Sequence, residues 1–267
     1  MIENLKMIVC TFLIVAFSSA QSADSLFAKL EKSSEWQLAF EDTGTTDWNE
    51  KWSLDGLMAQ IETNHNGMHF KAGPEWKNDA HHVVLWTKKN FQGNLKIEYD
   101  YTRTDHESKG VNIIYIQATG TGEEPYVKDI SLWNELRTVP SMRTYFNHMN
   151  ALHISYAAFG NSADTSYYIR ARRYPKPVNQ SFDLTRISPS YEDKGYFESF
   201  KTYHITILKT VDCLVFRKKS ETEEETFVWH IDKVKPIMEG KVGLRHMYTR
   251  AARYKNFKIY EEPNRKF

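Results

Sequence analysis

Thirteen short runs rich in β-branched and aromatic residues follow one another from Trp36 onward, and no sustained helical period separates them. They include "LKIEYDYTR" (95–103), "VNIIYIQA" (111–118), "ALHISYA" (151–157), "YYIRARR" (167–173), "YHITILK" (203–209) and "KVGLRHM" (241–247). Turn signals such as "NHNG", "FQGN", "FGN", "DKG" and "MEGK" punctuate them. Strands of this kind must bury one face against a second layer. The chain is therefore expected to be all-β, an antiparallel two-sheet β-sandwich of the jelly-roll type, with a single domain over 21–267. One segment departs from the pattern. The stretch 121–149 is long and contains "DISLWNEL" and "RTYFNHM", so helical turns are expected there. A long insertion in a compact β domain is more often functional than idle.

The first twenty residues have the layout of a signal peptide. "MIENLK" carries positive charge, "MIVCTFLIVAF" is a short apolar run, and "SSA" offers small residues before Gln21. Export to the periplasm or beyond is expected, with no membrane span, because the apolar run is too short for one. Removal of this segment leaves Cys213 as the lone cysteine, so the fold must hold by packing.

Lys and Arg number 35 against 34 Asp and Glu, a net charge of +1. That balance lacks the basic footprint of a nucleic-acid binder, and any anion site must be local. The stretch "SYYIRARRYP" supplies a local one. As a strand it puts Tyr168, Arg170 and Arg172 on one face and Tyr167, Ile169 and Ala171 on the other. Guanidinium groups stay charged, so a face with two of them needs a reason. Strand alternation also pairs His153 with Ser155, His82 with Trp86, and Gly243 with Arg245. On one concave sheet surface these residues would form a cationic groove with aromatic walls, suited to an acidic sugar. A salt-bridged strand face for the arginines and a structural role for His153 are the plainer alternatives. His81 and His82 are adjacent and point to opposite faces, which argues against zinc. Glu98 and Asp100 share a strand face as a glycosidase pair would, which needs carboxyl groups about 5 Å apart.

Read in order, "AHHVVLW", "FQGNLKIEYDY", "MNALHISY", the arginine strand, "GKVGLRHM" and "YKNFKIY" resemble the YesU family of bacterial jelly-roll proteins, in the concanavalin-like superfamily. The resemblance runs from Trp36 to Tyr260. On it, His82, Trp86, Asn150, His153, Tyr156, Arg170 and Arg245 fall on positions of the family pattern, while Tyr168 and Arg172 rest on strand geometry. More narrowly, the chain is similar to the oligosaccharide dehydratases with which marine Bacteroidetes degrade ulvan. That similarity implies elimination of the C4 hydroxyl from a non-reducing-end glucuronic or iduronic acid, leaving a 4,5-unsaturated uronyl end. Such an elimination needs a base, for which His153 and then His82 are the candidates, an acid (Tyr168 or the other histidine) and a neutraliser of the substrate carboxylate (Arg170, Arg172 or Arg245). Asn150, Ser155 and Trp86 would add substrate contacts. A polysaccharide lyase or a non-catalytic carbohydrate-binding protein could use the same groove. The partner expected is an acidic, sulfated oligosaccharide. No metal or cofactor is required, and a structural calcium, which such folds sometimes carry, is left open.

Overall fold

Alternating burial along the strands builds two antiparallel sheets. The computed structural model describes residues 23–32, 35–160 and 166–262. The leader-like segment 1–20 lies outside the described residues. In the first sheet the strand order is β14 (Glu224–His230), β13 (Cys213–Lys219), β12 (Thr202–Lys209), β7 (Leu95–Arg103), β16 (Ala251–Glu261), β4 (Gly67–Lys71) and β3 (Gln60–Asn64), with β1 (Gln37–Asp42) also on β16. The second runs β11 (Arg186–Glu192), β10 (Tyr167–Tyr174), β9 (Met149–Phe159), β8 (Gly110–Gly120), β15 (Glu239–His246), β5 (Val83–Thr87) and β2 (Trp52–Asp55), with β6 (Phe91–Gln92) also on β15.

All thirteen sequence-predicted strands are present. The three that pattern reading missed have physical reasons. β2 is four residues long and β6 two. β11 carries Pro189, which cannot donate to a ladder and sits on the sheet edge, where proline is tolerated.

The main core lies between the sheets. Leu152, Ile154 and Tyr156 from β9 meet Tyr99 and Tyr101 from β7 and Phe216 from β13. A helix over 23–32, α1, sets Phe27 on the outer side of the first sheet beside Leu208 and Val215.

The second sheet also buries its outer face. Val84, Trp86, Ile113, Tyr115, Ala151 and Tyr174 form a separate cluster with Ile130, Trp133 and Tyr145. These last three come from the insertion, which folds as a 3-10 segment Ile130–Arg137 and a short helix α2, Met142–His148. The expected helical turns are thus present, and they lie across the sheet. Gly243 permits the closest contact in this layer, since a Cβ there would meet the Trp86 ring at 2.5 Å. The indole lies flat over β15 and stacks on Tyr115 and Tyr145 with centroids 5.3 and 6.4 Å away.

Candidate functional site

Strand register carries the candidate residues onto one face of the second sheet. Arg172 lies opposite His153, and His153 opposite Tyr115. In the neighbouring row Arg170 faces Ser155, Ser155 faces Ile113, and Ile113 faces Arg245. The face predicted from alternation therefore exists. What differs is its cover, because the insertion hides much of it.

A pocket of about 220 Å³ remains open at one end of this face. His153, Ser155, Tyr168 and Arg172 supply its polar lining. Met142 and Phe146 of α2, with Phe159, Phe182 and Met247, supply apolar walls. Each ring nitrogen of His153 meets a hydroxyl: Nδ1 is 2.8 Å from the Tyr174 oxygen and Nε2 is 2.7 Å from Ser155 Oγ. Burial holds the His153 pKa well below its ordinary value, and Arg172, Arg245 and Arg170 push it the same way. The imidazole is therefore neutral at physiological pH. Arg172 donates Nη1 to Thr185 Oγ1 at 2.9 Å and to the Phe182 carbonyl, and its guanidinium lies 4.1 Å from the Phe182 ring. Among the described residues its one ion-pair partner is Asp183, 3.9 Å away and largely solvated, so Arg172 keeps charge to offer an anion. Burial raises the Tyr168 pKa, with Arg170 and Arg172 opposing, and the phenol stays protonated.

The other candidates lie elsewhere, each for a visible reason. Arg170 is on the right face but is tied outward to Ser190 Oγ at 2.7 Å and Glu192 at 2.6 Å, over the Tyr168 ring. It holds Tyr168 from outside the pocket. Arg245 is fully buried; it bonds His82 Nδ1 and the Pro140 carbonyl and lies 4.6 Å from the Tyr145 ring. His82 is sealed beside it, and burial with the Arg245 charge lowers its pKa to about 2. Neither can touch a ligand in this conformation, so His82 as second-choice base is corrected. Trp86 is buried too, donating Nε1 to Asp55 Oδ2 at 2.7 Å; it packs the insertion and offers no sugar platform. Asn150 lies on the opposite strand face, donates to the Gly120 carbonyl and lines a different cleft. Glu98 and Asp100 sit in the first sheet, paired with Lys96 at 3.1 Å and His204 at 2.9 Å, and neither lines a described pocket.

The residues that pattern reading missed are those that fix the cover. Asp55 accepts from Arg137 Nε at 2.6 Å, Trp86 Nε1 at 2.7 Å and the Tyr145 hydroxyl at 2.9 Å. No local signal in the short "WSLD" stretch marks Asp55, because its partners lie up to 90 residues downstream. Among the described residues no three of His, Cys, Asp and Glu come together as a metal site.

The buried histidines predict an acid-labile fold. His82 is lowered to about 2 and His246 to about 3, and His153 is also held far below its ordinary value. Each folded-state pKa lies below the unfolded one, so the unfolded chain binds more protons as pH falls below about 6.5. Stability should drop in that range by about 1.4 kcal/mol per pH unit for each imidazole. Thermal melts between pH 7.5 and 5 would check this; a flat melting temperature would contradict it.

Two antiparallel sheets with this strand order define a jelly-roll sandwich of the concanavalin-like class. The chain belongs to the family described as "Domain of unknown function (DUF1961)", which matches residues 42–259. Among solved structures, a Bacillus subtilis protein of unknown function with a galectin-like fold aligns at 16% identity and TM-score 0.60, covering 85% of this chain and 98% of that one. Lectin II from Ulex europaeus aligns at 8% identity and TM-score 0.51, covering 85% and 100%. The exoplasmic/lumenal domain of VIP36, in its Ca2+/Man3GlcNAc-bound form, aligns at 8% and 0.53, covering 85% and 90%. No curated protein matches the sequence. At these identities the likeness is one of fold. Among the described residues no helix is long and apolar enough to cross a membrane.

Proposed function

We propose that the protein is exported and binds the acidic, non-reducing end of a uronic-acid oligosaccharide in the His153–Ser155–Tyr168–Arg172 pocket, eliminating water from the terminal sugar. The observation that carries this reading is the pocket's composition and size. A cation, a neutral imidazole on a hydroxyl relay and a phenol converge in a space smaller than the roughly 300–1,000 Å³ of drug-sized sites. One sugar suits that volume better than a continuous chain, and α2 walls one side. This favours an end-acting dehydratase over a chain-cleaving lyase.

Each group has a task. Arg172 pairs with the substrate carboxylate and so acidifies the C5 proton. His153, acting through Ser155 Oγ, accepts that proton. The C4–O bond breaks as C4=C5 forms, and Tyr168 protonates the departing oxygen to give water. No step requires an added oxidant or reductant. The similarity to ulvan-active dehydratases names the substrate class, and the lectins among the fold neighbours are consistent with a sugar partner.

The second reading is a non-catalytic sugar-binding protein. It is favoured by one observation: an imidazole held so far below neutrality is a weak base until a bound carboxylate raises its pKa. Incubation with saturated-end ulvan oligosaccharides distinguishes the two. The proposal expects ultraviolet absorbance from the conjugated uronyl end, together with loss of one water by mass spectrometry and no shorter fragments. Chain fragments would indicate a lyase. Binding without any unsaturated product would establish the second reading.

A further inference from the structure

Arg173 is left over from the arginine strand. It points away from Arg170 and Arg172, into a cleft of about 530 Å³ at the other end of β9 and β10. Asn150, which lines this cleft, and Ser155, which lines the pocket, are five residues apart on β9, about 17 Å at strand rise. The two cavities open on opposite faces of the same strands.

The cleft is cationic. Arg173, Lys128 and Lys235 line it against a single carboxylate, Glu239, which pairs with Lys128 at 3.3 Å. Arg173 donates Nε to the Lys235 carbonyl at 2.9 Å. Burial alone lowers its pKa, to about 10, and no carboxylate contributes. Lys209 stands behind the lining, fully buried. Its ammonium donates to the Gly93 and Ile237 carbonyls and lies 3.4 Å from Met238 Sδ. Among the described residues it has no ion-pair partner, and burial lowers its pKa to about 8. Two half-buried or buried cations without counter-charges are costly unless an anion completes them. Gln92, Thr119 and Asn150 add neutral polar groups of the kind that meet sugar hydroxyls.

We infer that this cleft is a second binding site for an anionic sugar, one carrying a sulfate ester or a carboxylate, separate from the end-binding pocket. The anion preference rests on the lining alone; only the sugar class rests on the proposed function. Together the two sites would let one molecule hold a terminal residue and a second acidic unit of the same or a neighbouring glycan chain.

Calorimetric titration tests this with a sulfated uronic-acid oligosaccharide, a short unsulfated uronic-acid oligosaccharide and inorganic sulfate. The expected result is that Arg173→Gln weakens the sulfated oligosaccharide about tenfold, the loss of one charge-assisted contact. Lys235→Gln, an exposed change that leaves the fold alone, should weaken it severalfold. Glu239→Gln removes the competing carboxylate and should tighten binding, a gain that damage to the fold cannot mimic. Sulfate at millimolar concentration should compete; if an unsulfated uronate competes equally, the site reads charge and not sulfate. Arg172→Gln separates the two sites. If it leaves affinity intact while Arg173→Gln removes it, the cleft stands and the pocket reading falls. Unchanged affinity in Arg173→Gln and Glu239→Gln, or no binding of any of the three probes, would overturn the inference.

Discussion

Asp55→Ala should lower stability by about 3–5 kcal/mol, the cost of leaving a buried charge without its partner. For a chain of this size that corresponds to about ten degrees in melting temperature, at about 2–4 °C per kcal/mol. The magnitude follows from what Asp55 holds. Its carboxylate takes two bonds from Arg137, at 2.6 and 3.3 Å, one from Trp86 and one from Tyr145. Those partners belong to the 3-10 segment, to β5 and to α2. Without the carboxylate, Arg137 keeps the Trp133 carbonyl and the Trp133 ring as neighbours but has no counter-charge. Asp55→Asn should cost less, because one acceptor oxygen survives. The sandwich core is untouched by either change, so loss should centre on the insertion and on the pocket wall that Met142 and Phe146 provide. Thermal melts and hydrogen exchange over 121–149 would check it. A loss below about 1 kcal/mol would mean that apolar packing alone holds the insertion.

On the proposed elimination, His153→Gln should cut the rate by about 10²–10⁴, the usual worth of a positioned general base. Glutamine can still hydrogen-bond Ser155, so oligosaccharide affinity should change little. The pH profile gives a sharper test. In the free protein burial and three arginines keep His153 neutral far below pH 6.5. The acid limb of kcat/KM should therefore be flat through pH 6, where an exposed histidine would already be protonated. A bound carboxylate brings negative charge to the imidazole and raises its pKa, so the acid limb of kcat should lie at higher pH than that of kcat/KM. A wild-type rate in His153→Gln would place the base elsewhere.

The fold was legible because alternation is a local signal. "LKIEYDYTR" is β7 residue for residue, and "YYIRARR" lies wholly within β10. Face sharing was legible for the same reason, which is why Tyr168, Arg172, His153 and Ser155 do converge. Depth was not. Arg245 and His82 have the alternation of an open groove, yet Pro140 and Tyr145 cover them. Nothing in "GLRHM" or "HHVVLW" records that a segment from 121–149 will lie on top. Trp86 misled for a related reason, since an indole on a wet face and one under an insertion have the same sequence spacing. Asn150 entered through the family pattern alone; strand alternation puts it with Leu152 and Ile154, on the side of β9 opposite His153. Asp55 was invisible because its meaning depends on three partners distant in the chain.

β9 is buried along nearly its whole length on both sides. Leu152, Ile154 and Tyr156 answer to the sandwich, while Ala151, His153 and Ser155 answer to the insertion and the pocket. One strand thus carries two interleaved sets of constraints, each at every second residue. Substitutions in the second set can reshape the pocket without loosening the joint between the sheets. Such a scaffold can change the shape and chemistry of its pocket while its core sequence stands still.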